Sequence, residues 1–169
     1  MKDPMARFAR SPLRLFAPLL LVALGLVAVA CQAQQEMQLL ELDSFPKASL
    51  EIRTAKEANR FDIWIASTPQ QQTQGLMFVR DLAANRGMLF LAEKPRVFSM
   101  WMKNTFIPLD MVFISADKRI AKIAANTTPH SLATISSDVA VAGILELRGG
   151  EAERRGLHKG DKVTWTPQP

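Results

Sequence analysis

Cysteine is almost missing from this 169-residue chain. Cys31 stands alone, so neither an internal disulfide framework nor a cysteine-cluster zinc site can form. Histidine is scarce too, with His130 and His158 the two examples, too few ligands for a multi-histidine metal centre. Ten prolines and eight glycines occur without a repeat, which excludes collagen-like and low-complexity architectures. Acidic residues are in deficit, 16 against 21 basic, for a net charge of +5. That surplus is concentrated at the start, where Lys2, Arg7, Arg10 and Arg14 face Asp3 alone. Beyond residue 30 the chain holds 17 basic and 15 acidic residues. Such a near-neutral chain has no electrostatic case for nucleic acid, because phosphate binding needs clustered Lys and Arg. The remainder, 48% hydrophobic and 22% charged overall, is ordinary globular composition, long enough for one domain plus an appendage.

Residues 15–30 form an uncharged, mostly aliphatic run of 16 residues, short of the roughly 20 that a membrane-spanning helix needs. A basic start, an apolar middle and the small residues Ala28-Val29-Ala30 make a secretory signal peptide. Cys31 follows immediately. This arrangement resembles the lipobox of bacterial lipoproteins, in which the cysteine is lipidated and becomes the mature N terminus. The plainer alternative is a signal peptide cut at the same place, with Cys31 incidental. Lipidation would tether the protein to a membrane, since each buried methylene contributes about 0.8 kcal/mol and two or more chains hold durably. Gln32 after the cysteine implies the outer membrane, with the domain facing the periplasm.

Residues 31–47 are polar and irregular, with Gln32, Gln34, Gln35 and Pro46, and read as a tether. From residue 48 to 169 the signals are mainly strands. Leu50 and Ile52 alternate with Glu51 and Arg53, and Phe61, Ile63 and Ile65 with Asp62, Trp64 and Ala66. Thr68-Pro69 is a helix start, predicting a short helix over residues 70–82. Met88-Leu89-Phe90-Leu91 is a continuous apolar run, expected as a strand covered on both faces. Further strands are predicted over 97–102, 110–115, 119–124 and 139–147, a helical turn over 151–156, and a last edge strand at Val163 and Trp165. Many short strands with one short helix argue for a mostly β fold, a compact barrel or sandwich.

The most informative segment is Met100-Trp101-Met102-Lys103-Asn104-Thr105-Phe106-Ile107-Pro108-Leu109-Asp110. Other blocks follow the same family order: Thr68-Pro69, then Gly75-Leu76-Met77-Phe78 with Arg80, then Gly87-Met88-Leu89-Phe90. Leu145-Glu146-Leu147 and Gly156-Leu157 with Gly160-Asp161 close the series. Together they resemble the DUF192 (UPF0127) family over about residues 49–166. The resemblance implies a small, mostly β pseudo-barrel of undefined biochemical function; no cofactor is expected.

Read from the residues themselves, the motif has two meanings. One is a corner between strands, with Asn104 and Thr105 closing turns, Pro108 interrupting the ladder and Asp110 capping backbone amides. The other is a pocket for a small ligand or an envelope partner, with Trp101 as a wall, Lys103 and Arg80 as cations, Asn104 beside them, and Asp110 and Glu146 as carboxylates. Glu146 shares its strand face with Ala142 and Ile144, so it must find a partner or take up a proton. Arg80 is the expected partner, as guanidinium binds carboxylate through two parallel hydrogen bonds. Asp110 and Glu146 could instead work as a paired acid and base in a hydrolase-like enzyme, if their separation allowed it. Met77, Met88, Met100, Met102 and Met111 are soft ligands suited to copper, and Trp101 lies among them; core packing is the competing reading. Trp101 itself, between Met100 and Met102, is expected to be buried.

Overall fold

Alternating apolar and polar residues build the strands at one side of the observed sheet, and unbroken apolar runs build its centre. The computed structural model describes residues 39–168; the leader and Cys31 lie outside them. Nine strands are formed: β1 (Lys47–Arg53), β2 (Ala58–Ala66), β3 (Arg86–Arg96), β4 (Ser99–Met100), β5 (Leu109–Ile114), β6 (Ile120–Ala124), β7 (Ile135–Ser136), β8 (Val141–Arg148) and β9 (Lys162–Pro167). Two short helices join them, α1 (Pro69–Gln74) and the single turn α2 (Glu151–Arg154). The mostly β expectation holds. Among the described residues no helix is long and apolar enough to cross a membrane.

Seven strands form one sheet in the order β6-β5-β8-β3-β2-β1-β9, and β4 pairs with β7 in a separate ribbon. The β2–β3 pair is parallel and the other pairs of the sheet are antiparallel. The sheet curls until its two edges meet at one corner. There Gly160 N–H donates to Ile120 O at 2.8 Å, Ile120 N–H to Asp161 O at 3.0 Å, and Val163 N–H to Lys118 O at 2.8 Å. The result is a half-barrel with its edges pinned on one side, which leaves fewer unpaired backbone groups than an open sheet.

The curl divides the apolar residues into two cores. Leu50, Ile52, Phe61, Ile63, Val112, Leu145 and Val163 fill the inside of the half-barrel. The outer face of the central strands carries Trp64, Met88, Phe90, Met111, Phe113 and Ile144, covered by α1, the β4–β7 ribbon and the chain around Met102. Strands β3, β5 and β8 are therefore buried on both faces, which explains the unbroken apolar run at 88–91.

Three expectations shift. The folded part begins before residue 48: Phe45 is buried in the outer core, and the backbone of Leu40 is hydrogen-bonded to the Gln74 side chain. Helix α1 stops at Gln74, because Gly75 takes a positive φ of 51° that L residues rarely adopt. The strand predicted over 97–102 is reduced to Ser99–Met100, because the chain turns away into the loop containing Lys103 and Asn104.

Candidate functional site

Strand β8 lies between β5 and β3, and in that register Glu146 stands opposite Met111 on one side and Met88 on the other. It points into the outer core and is 4% exposed. Its Oε2 has no hydrogen-bond partner. Burial without a countercharge disfavours the ionised form, and the carboxyl is pushed up from the ordinary 4.5 to about 8. At neutral pH it is a protonated acid in an apolar setting.

The sequence around α1 folds its end over this acid. Thr68 accepts the Gln71 N–H while the Gln71 side chain accepts the Thr68 N–H, a reciprocal cap at the helix start. At the other end, a Cβ on Gly75 would stand 2.9 Å from Phe90 Cζ and 3.9 Å from Glu146 Oε2. Glycine lets the helix end approach both groups. Between α1, β8 and the loop after β4 lies a cavity of about 230 Å³ with Glu146 in its lining. Its apolar walls are Phe90, Met77, Met100 and Trp101; Gln72, Ser99 and Thr105 contribute polar atoms. A neighbouring hollow of about 310 Å³ shares Gln72, Phe90 and Met100 with it and reaches Arg96. A larger hollow of about 740 Å³ beside β6 is lined by surface charges, Lys122 paired with Asp138, Arg119 with Asp117, and Lys159. Glu146 sets the smaller cavity apart.

Of the residues singled out in the sequence, the structure brings Trp101 and Glu146 together around this cavity. Trp101 is 52% exposed, contrary to expectation. The reason is that β4 ends at Met100: beyond it the chain buries Met102 at 0% exposure and leaves Trp101 facing out. Lys103 is exposed, with its Nζ 5.4 Å from the Trp101 ring centre. Asn104 adopts a positive φ of 56°, and its carbonyl accepts the N–H of Phe78. The turn itself is closed by the Thr105 N–H, which donates to Met102 O at 3.1 Å.

The Arg80–Glu146 pair does not form. Phe78, with a φ of 64°, redirects the chain after α1, and the Arg80 guanidinium lies 4.8 Å from the Phe106 ring centre. Asp110 and Glu146 do not form a catalytic pair either. Asp110 is opposite Leu147 in the register and Met111 is opposite Glu146, so the two carboxyls lie on opposite faces of the sheet. Asp110 is fully buried and accepts the N–H groups of Asn126 (2.8 Å), Gly150 (3.1 Å) and Ala152 (2.8 Å). It serves as a cap for α2 and the adjoining loop.

The soft-metal reading is weakened at Met102, whose sulfur is buried and lies 3.1 Å from the Thr127 hydroxyl. Among the described residues no group of three or more His, Cys, Asp or Glu could hold a metal. Sequence reasoning missed the cavity roles of Gln72, Gly75, Phe90 and Thr105. Gly75 carried the nearest signal, a glycine placed at the end of a well-capped helix.

Residues 50–165 match the profile of DUF192, described as an uncharacterized ACR. The chain belongs to the DUF192 family. Among solved structures, the DUF192 domain is similar to a Sinorhizobium meliloti 1021 protein proposed to be a transcription regulator. The two are 41% identical with a TM-score of 0.71, over 72% of this chain and 95% of that one. It is also similar to a protein of unknown function from Novosphingobium aromaticivorans DSM 12444, at 33% identity and a TM-score of 0.72, over 75% of this chain and 91% of that one. No curated protein matches the chain.

Proposed function

We propose that this DUF192 domain is a small-ligand binding module, held in a bacterial cell envelope by a lipid on Cys31, and that the Glu146 cavity is its binding site. One observation carries the binding reading: the buried carboxyl of Glu146, whose Oε2 has no hydrogen-bond partner, stands in the lining of a cavity. Leaving such a group unsatisfied costs about 1–3 kcal/mol or more, and a ligand that bonds to it recovers that loss. Trp101 supports the same reading, since an exposed aromatic at the rim supplies contact area at low entropic cost. The envelope assignment rests on the signal-like leader and the lipobox resemblance. Transcription regulation, the role proposed for the Sinorhizobium protein, would gain no electrostatic hold on nucleic acid from this chain beyond residue 30, where 17 basic residues meet 15 acidic.

The test is crystallographic. Crystals soaked with a library of small polar and apolar fragments should show density between Trp101 and Glu146 more often than in the hollow beside β6. A fragment set that collects elsewhere and leaves the Glu146 cavity empty would remove the binding-site assignment.

A further inference from the structure

The hydrogen-bonding state of the cavity lining specifies the chemistry of its occupant, given the reading of the cavity as a binding site. Both amide hydrogens of Gln72 are spent, on Ala66 O at 3.2 Å and Leu91 O at 2.7 Å, which leaves its Oε1 as an acceptor. The Thr105 hydroxyl donates to Lys103 O at 3.3 Å, and the Thr73 hydroxyl to Pro69 O at 2.8 Å. Gln74 is satisfied at both ends by the Leu40 backbone. Apart from the Glu146 proton, the Ser99 hydroxyl and the Trp101 indole N–H, the free side-chain groups of the lining are oxygen acceptors, and it contains no Lys, Arg or His.

No protein cation supplies the missing charge. The elements packed around Glu146 are β3, β5, α1 and the loop after β4. On β3, Arg86 lies over the Trp64 ring and Arg96 over Phe98, at 4.2 and 3.8 Å from the ring centres. On β5, Asp110 is on the opposite face. Helix α1 carries no charged residue, and Lys103 lies over the exposed Trp101 ring. A carboxyl, an amide oxygen and a hydroxyl oxygen, walled by Phe90, Trp101 and two thioethers, match a donor-rich head on an apolar body.

We propose that the cavity binds an organic cation, a primary ammonium or guanidinium group on a short apolar body, with the charged head against Glu146. Binding then converts the Glu146 carboxyl to a carboxylate: the ligand keeps its charge, the acid loses one proton, and that proton goes to solvent. Uptake is thus coupled to proton release, and affinity rises with pH until Glu146 is ionised in the free protein.

Calorimetry on the full chain in detergent tests this, with benzylammonium and n-butylguanidinium as probes and benzyl alcohol and benzoate as controls. At pH 7, both cations should bind, with a heat that varies with buffer ionisation enthalpy and corresponds to close to one proton released. Glu146→Gln should weaken cation binding by about tenfold or more and abolish the buffer dependence. Trp101→Ala, a change at the exposed rim, should weaken both cations without altering proton release. Binding of benzyl alcohol or benzoate as tightly as benzylammonium, or cation binding unchanged in Glu146→Gln, would overturn the cation assignment while leaving the cavity as a binding site. If neither cations nor controls bind and soaked fragments also avoid the cavity, the assignment and the site fall together.

Discussion

Glu146 shows how one residue can carry a pH dependence for the whole domain. Its carboxyl is pushed up to about 8 by burial, against 4.5 in the unfolded chain. Below about 4.5 both states hold the proton and Glu146 sets no slope. Between 4.5 and about 8 the unfolded chain ionises while the folded domain stays protonated, so stability falls as pH rises. Above about 8 both states are ionised and the loss is complete, reaching at most about 5 kcal/mol. Glu146→Gln removes the titration and keeps the shape. Urea unfolding at pH 5, 6.5 and 8 should give a flatter profile for the variant, which overtakes the wild type at the high end. Parallel profiles would mean that Glu146 is solvated in the folded state.

At the level of elements, the DUF192 motif is mostly a device for building corners. Asp110 sits on a central strand, yet its two oxygens bind three backbone N–H groups on segments far away in sequence. The four residues of α2 cannot hold a helix on propensity alone; the Asp110 bonds and the burial of Ala152 hold it against the sheet. Asp110→Ala leaves three N–H groups without their acceptor, two of them at the start of α2, and should cost roughly 3 kcal/mol or more in urea unfolding. Cation binding at the Glu146 cavity should survive in the fraction that folds, because Asp110 is on the other face. A stable Asp110→Ala protein that has lost cation binding would return Asp110 to the site.

For the whole molecule, the half-barrel buries one core by curling and a second by being covered, and the cavity is a gap in that cover. The cover includes the chain from Leu40 to Phe45. The expected consequence of Cys31→Ser is a domain with unchanged Tm that leaves the membrane fraction, or an unprocessed precursor that stays in it. A cleaved, membrane-bound mutant at the wild-type level would end the lipid-anchor proposal.

Local rules carried the sequence a long way. Alternation placed β1, β2 and β9, apolar-rich stretches between turns placed β3, β5, β6 and β8, Thr68-Pro69 placed the start of α1, and the long central motif placed the family. Alternation also put Glu146 among apolar neighbours, which makes it stand out in the sequence alone. Facing relations across strands were beyond those rules. Within one strand, parity says which residues share a face; between strands, the register decides, and register is set by long-range pairing. A one-residue shift of β5 against β8 would have put Asp110 beside Glu146 in place of Met111. The direction of Arg80 likewise depended on Phe78 taking a left-handed turn, and the exposure of Trp101 on a strand ending at Met100. Burial of Glu146 followed from its neighbours in sequence, whereas its lack of a partner was decided by the tertiary structure, because the nearby cations are stacked on rings that the chain brings to them.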